Sequence, residues 1–205
     1  MTIKIKVLFL CFGMSSISFA QEFKSGLVLG ANATQVDGDD LAGYHSLRPL
    51  IGIYIKRDLS ERFLVQAEFN YSGKGAKRPQ DENSIGNITQ IRRLTFNYVD
   101  VPFLLGYKYD KLTFYTGLSL SYLFHAEQDD HIQVKKVTKD LKQFESMGYL
   151  MGSYAIADKW LLMGGFGYSL TCISQGLCQP LWSNPRTRVG YRNNLITVSF
   201  RYSLN

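Results

Sequence analysis

From Gln21 onward the chain alternates apolar and polar residues with a period of two, and no useful window carries the 3.6-residue period of an amphipathic helix. Side chains of a strand point alternately to two faces, so the pattern predicts an all-β protein. Eight strands are expected: Phe23 to Val36, Ser46 to Arg57, Arg62 to Gly73, Arg93 to Lys108, Lys111 to His125, Phe144 to Ile156, Lys159 to Thr171, and Asn193 to Leu204. Their connections alternate between long and short. The long ones are Asp37 to His45, Lys74 to Arg92, Ala126 to Gln143 and Cys172 to Arg192; the tight ones centre on Asp58, Tyr109-Asp110 and Ala157-Asp158. An up-and-down antiparallel meander with all its long loops at one end fits this order, and that asymmetry is typical of bacterial outer-membrane barrels.

One parity collects Leu27, Leu29, Ile51, Ile53, Val65, Phe69, Val101, Phe103, Leu118 and Leu120, then Met147, Tyr149, Met151, Leu162, Phe166, Val198 and Phe200. No charge interrupts that face within the expected strands. The other parity holds Lys24, Arg48, Lys56, Gln66, Glu68, Asn70, Asp100 and Arg201, with many glycines, among them Gly26, Gly52, Gly117, Gly148 and Gly152. A soluble barrel would turn the apolar face inward around a hydrophobic ligand, whereas a transmembrane barrel turns it outward to lipid. The membrane version is favoured. A glycine-rich polar face suits the narrow interior of eight strands, and aromatics such as Phe63, Tyr107, Tyr122 and Trp160 sit near strand ends, where interfacial girdles lie.

Composition narrows the reading further. With 45% hydrophobic residues among 205, the chain is too apolar to be disordered and has the size of one domain. Residues 1–20 read as an export signal: Lys4 and Lys6, an apolar run from Val7, and small residues at Ser18 and Ala20 before the expected cleavage, leaving a barrel domain at 21–205. Removing Lys4 and Lys6 lowers the formal charge from +6 to +4, a modest excess that suits anionic lipid better than nucleic acid. Cys11 leaves with the signal. Cys172 and Cys178 remain, and export to an oxidising compartment fits either a bridge between them or two free thiols.

With these strands in place, several segments look familiar. Thr34 to Asp39 (TQVDGD) with Gly43-Tyr44-His45, Gln66-Ala67-Glu68 leading into Tyr71-Ser72-Gly73-Lys74-Gly75, Asn97-Tyr98-Val99-Asp100-Val101-Pro102, and the closing Arg192-Asn193-Asn194 resemble the PorT-like outer-membrane beta-barrel family. The resemblance implies an eight-stranded barrel in the outer membrane of a Gram-negative bacterium. It also implies a non-enzymatic structural or interaction role, accessory to protein secretion or envelope assembly. Such barrels usually end on an aromatic residue; here the end reads Tyr202-Ser203-Leu204-Asn205.

The candidate chemistry is sparse. An interior polar network of Glu68, Asp100, Arg201, Lys24 and Arg48 is expected as a structural plug, because buried carboxylates need cationic partners. Pro102 cannot donate to a ladder and suggests a bulge or kink in its strand. Ser121 and His125 fall on one face, but four strand residues put them roughly 13 Å apart, too far for a nucleophile and its base. His131 beside Asp129 and Asp130 reads as part of a solvated loop, and His45, His125 and His131 are too scattered for a metal, so no cofactor is expected. Among the external loops, the first is acidic (Asp37, Asp39, Asp40), and the second is basic (Lys74, Lys77, Arg78, Arg92, Arg93). The last carries Trp182, Arg186, Arg188 and Arg192. That last loop is the expected binding loop, since arginine grips phosphate through paired hydrogen bonds. The expected protein is a monomeric outer-membrane barrel whose partners are outer-membrane lipid, lipopolysaccharide or another envelope protein. A barrel lipid-modifying enzyme and an exported soluble carrier are the alternatives.

Overall fold

The computed structural model describes residues 23–39, 43–78, 93–130, 133–176, 178–180 and 190–204. The proposed signal, residues 1–20, lies outside them. Nine strands form one antiparallel sheet: β1 (Phe23–Asp37), β2 (Ser46–Asp58), β3 (Phe63–Lys77), β4 (Arg93–Tyr109), β5 (Leu112–Asp129), β6 (Val134–Lys136), β7 (Phe144–Ala157), β8 (Trp160–Ser169) and β9 (Arg192–Ser203). Each long strand pairs with its neighbours, and β1 pairs with β9 from Gly26↔Ser203 to Asp37↔Arg192, so eight of them close into a barrel. The short β6 pairs only with the upper end of β5.

The tight turns lie at one end and have local causes. Asp110 adopts φ 54 in the β4–β5 turn, a left-handed conformation that a short polar side chain tolerates. In the β2–β3 turn, the Ser60 hydroxyl accepts from the Phe63 amide at 3.0 Å. At the opposite end β3 and β5 run beyond the expected limits to Lys77 and Asp129, while β4 starts at Arg93 as expected, so Lys74 belongs to a strand and not to a loop.

Leu29, Ile53, Phe69, Phe103, Leu120 and Phe200 all point outward and are exposed. The apolar face therefore meets lipid. Aromatic pairs mark both edges of the band, with Phe63 on Tyr107 and Trp160 on Tyr202 near the tight turns, and Tyr71 on Phe124 and Tyr122 on Phe144 near the loop end. The lumen is narrow. At Gly26 an added Cβ would lie 2.5 Å from the Tyr54 ring, which fills the space the glycine leaves.

Three expectations need correction. In β7 the faces are reversed: Met147 is 0% exposed and Leu150 66%, so Met147, Tyr149 and Met151 turn inward while Gly148 and Gly152 face lipid. The cause is Glu145, which shares the parity of Met147 and cannot face hydrocarbon. At Pro102 the β3–β4 register is unchanged, running through Ala67↔Phe103 and resuming at Asn70↔Asp100, so the missing amide interrupts the ladder without a bulge. The bulge lies instead on β5. Asn97 faces His125 and Tyr98 faces Leu123, leaving Phe124 as the extra residue. His125 is thereby turned to the outer wall, opposite Ser121, and pairs with Glu127 at 2.9 Å.

These assignments fix where a charge can be tolerated. Arginine at Ile53 or at Leu150 should destabilise the folded barrel by about 2 to 4 kcal/mol, the usual cost near the bilayer midplane. Loss of the heat-modifiable folded band on gels checks both. An undiminished folded band for Leu150→Arg would restore the opposite parity for β7.

Candidate functional site

The lumen contains two charged layers. In the lower one, Glu68 of β3 and Arg201 of β9 reach across the barrel to each other. Both Arg201 terminal nitrogens donate to the carboxylate, the second at 3.3 Å. Gln66 and Asn70 donate to the same carboxylate at 2.6 and 2.8 Å, so Glu68 is saturated by neighbours two residues away on its own strand. Their spacing follows from the pleat, which returns every second side chain to the lumen.

The upper layer is built around Lys74. Its ammonium donates to Glu145 of β7 at 2.8 Å, to the Ser121 hydroxyl of β5 at 3.2 Å and to Met147 Sδ at 2.8 Å, and lies 4.2 Å from the Tyr98 ring centre. All three of its N–H groups are used. The Ser121 hydroxyl in turn donates to Asp100 Oδ1 at 2.6 Å, and the Tyr149 hydroxyl donates to Asp100 Oδ2 at 2.9 Å. Asn193 of β9 donates to Glu145 at 2.9 Å and to the Tyr98 hydroxyl at 3.2 Å. Asp100 therefore shares the Lys74 charge through Ser121 rather than meeting a cation directly. Between the layers, a cavity of about 20 Å³ lined by Asn32, Asn70, Asp100, Tyr149, Thr197 and Arg201 has room for about one water molecule.

Above both layers lies an apolar cap. Leu141 and Ile173, from the connections on either side of β7 and β8, pack on Val36, Phe96, Leu123 and Ala126 at the loop end of the lumen. Backbone bonds hold them there: the Lys142 amide donates to the Ile173 carbonyl at 2.7 Å, and the Ile173 amide to Tyr191 at 2.9 Å. Cys172, next to Ile173, forms a disulfide with Cys178, their Cα atoms 6.2 Å apart.

Of the five residues expected in one interior network, Glu68, Asp100 and Arg201 are fully buried, but the structure joins only Glu68 to Arg201. Lys24 sits at the rim by the tight turns, 3.7 Å from Asp58, which Lys108 also holds at 2.6 Å. Its parity is inward, but its level is that of the solvated mouth. Arg48 also leaves the lumen. Its chain crosses β3 at Gly73, where a side chain would begin 2.9 Å from Arg48 Cβ. Its guanidinium then ends on the Thr95 hydroxyl, with Thr95 sharing the outward parity of Val99. Arg192, expected on a binding loop, is the buried first residue of β9, and it donates to the Gln179 carbonyl at 2.6 Å. Trp182, Arg186 and Arg188 lie outside the described residues, as does His131.

Lys74, Glu145 and Tyr149 are the interior residues that pattern reading missed; Ser121 was read on the polar face but not as part of the network. Lys74 is flanked by Gly73 and Gly75, which read as a loop, while Glu145 was hidden by the apolar Met147, Tyr149 and Met151 of its own face. The one available signal was Glu145 itself, a charge two residues from Met147. Among the described residues, no three His, Cys, Asp or Glu side chains are grouped as metal ligands.

The model of the outer membrane protein beta-barrel domain matches residues 19–175. The chain belongs to this family. In this outer-membrane barrel the apolar wall faces the bilayer and the lumen is filled, which rules out a soluble carrier with an apolar interior. No curated protein matches the sequence. Two solved structures of Ail, the attachment invasion locus protein of Yersinia pestis, are similar to it; one is a complex with the heparin analogue sucrose octasulfate. They match 89% of this chain and 99% of their own, at 10% and 11% identity, with TM-scores of 0.52 and 0.50. Similarity at that identity establishes the small closed barrel fold alone.

Breaking the lower pair should be costly. Arg201→Met leaves the buried Glu68 without its counter-ion, and about 3 to 5 kcal/mol of stability should be lost, whereas the double replacement Glu68→Met with Arg201→Met should recover most of it. Urea unfolding of the barrel in detergent micelles measures both. Equal losses in the single and double variants would mean that the pair is not coupled.

Proposed function

We propose that this barrel is a closed, non-enzymatic outer-membrane protein that acts through its extracellular rim and loops. The observation that carries this reading is the filled lumen. Two charged layers and an apolar cap occupy the bore, and Glu68, Lys74, Asp100, Glu145 and Arg201 are all buried. A pore would need a continuous wet path, and eight strands leave only enough width for side chains.

The same geometry argues against the lipid-modifying enzyme. Ser121 lies 3.2 Å from an amine, as a serine–lysine pair requires, but Lys74 is ion-paired with Glu145 at 2.8 Å and the Ser121 hydroxyl donates to Asp100. Both residues lie beneath the cap, out of reach of an acyl chain. The resemblance to PorT-like barrels supports a role accessory to secretion or envelope assembly. Outer-membrane lipid, lipopolysaccharide or another envelope protein is then the partner of a monomer.

Planar bilayers containing the purified protein should remain free of conductance steps, and phospholipid vesicles incubated with it should release no fatty acid. Large reproducible steps would overturn the closed lumen. Fatty-acid release that disappears in Ser121→Ala would establish the enzyme instead.

A further inference from the structure

The upper ends of the strands carry cations of their own, apart from those in the sequence of the expected binding loop. On the outward parity above the girdle row Tyr71↔Val99↔Tyr122, Asn97 lies between Gly73 and His125, then Thr95 between Gly75 and Glu127, then Arg93 between Lys77 and Asp129. Arg48 ends on this same wall. From these observations we propose that the outer wall formed by the upper ends of β2 to β5 binds lipid A, the bisphosphorylated anchor of lipopolysaccharide, with Arg48, Arg93 and Lys77 as its phosphate contacts. The proposal rests on the surface-acting reading above and assigns it a ligand and a site.

Three features carry it. Arg48 is held in place rather than waving in solvent: Gly73 lets its chain cross the strand, and its Nη2 donates to the Thr95 hydroxyl and to the Leu94 carbonyl at 3.5 Å. Its Nε is buried and makes no hydrogen bond, so the guanidinium is fixed through Nη2. A positioned planar fork is the geometry that binds phosphate through two parallel hydrogen bonds.

The second feature is crowding of like charge. Arg48 lies within electrostatic reach of Arg93, and Lys77 stands directly across the ladder from Arg93. Like charges placed opposite one another destabilise a sheet unless an anion joins them. Two acids stand on the same wall, Asp129 directly across the ladder from Arg93 and Glu127, which is engaged by His125 at 2.9 Å and stands opposite Lys136, and they offset the three cations in part only.

Position is the third. Thr95, where Arg48 ends, is four residues beyond Val99, about 13 Å of strand above the girdle. The cations therefore stand where head groups replace hydrocarbon. Exposed Leu47, next to Arg48 on β2, and exposed Phe124, at the β5 bulge, flank them, as the wall of a bound acylated sugar requires. Lipid A offers two phosphates on a rigid disaccharide, which matches two arginines and a lysine spread along one wall.

The test uses the purified barrel in detergent micelles, with bisphosphorylated lipid A or its dephosphorylated form added, and native mass spectrometry reading the bound lipid. The unmodified protein should retain bisphosphorylated lipid A and not the dephosphorylated form. Arg48→Gln with Arg93→Gln should lower occupancy at least about tenfold, as expected for lost charge-assisted contacts. Lys24→Gln with Lys108→Gln, at the opposite rim, should leave it unchanged. Heat-modifiability confirms that each variant is folded. Should replacing Arg48 disturb β4, Arg93→Gln and Lys77→Gln alter exposed side chains only and make the same measurement. Equal occupancy in the folded arginine variants, or equal binding of the dephosphorylated lipid, would overturn the site. Failure here with silent bilayers removes only the ligand, whereas conductance or turnover removes the surface-acting reading itself.

Discussion

Inside a bilayer no water is available to the amide groups of a strand, so a sheet that spans the membrane must have no edge. The β1–β9 pairing meets that requirement. Closing eight strands fixes a bore so narrow that inward side chains must fit around one another, which is why the Tyr54 ring rests where a side chain on Gly26 would have been. It also forbids any inward charge from reaching solvent at mid-height. Each such charge must find its counter-ion on a facing strand, as Glu68 finds Arg201 and Lys74 finds Glu145.

Those pairs act on register more than on net stability, because desolvation cancels much of what the ion pair contributes. A slip of one residue in β3 would send Glu68 into hydrocarbon, turn Lys74 away from Glu145 and bring Phe69 into the lumen. No comparable cost attaches to a slip in a strand whose two faces are equally apolar. The charges are spread over β3, β4, β7 and β9, with Ser121 of β5 as the bridge between two of them. A correct register in any one strand thus constrains strands on the far side of the bore.

Most of the fold was legible because alternation reports directly on the two faces, and the strand limits of β1, β2 and β9 fall within about a residue of those expected. The signal fails where the two faces resemble each other. In β7 the inward Met147, Tyr149 and Met151 are as apolar as the outward Leu150, Tyr154 and Ile156, so only Glu145 distinguishes them. A single extra residue at Phe124 inverts the rest of β5 and carries His125 outward, and no composition marks it. Parity also carries no height. Lys24 and Arg48 have the inward parity of Glu68 and Asp100, yet one lies at the solvated mouth and the other passes over Gly73 to the outside, a path set by one missing side chain.

The same constraints determine where function can reside. A residue in the membrane band answers to lipid on one face or to a packed bore on the other, and either demand excludes most substitutions. Above the band the outward face no longer answers to hydrocarbon, while the inward face still packs against the cap. There β3, β4 and β5 continue past the aromatic girdle with their ladder intact to Lys77, Arg93 and Asp129. They present side chains on a rigid sheet without the entropy cost of ordering a loop. The cap sharpens this asymmetry, because Ile173 and Leu141 close the bore and leave the outer wall as the accessible surface of the upper barrel. Evolution of a new partner on this scaffold therefore proceeds most readily at the upper strand ends, where recognition can change while the register beneath them stays fixed.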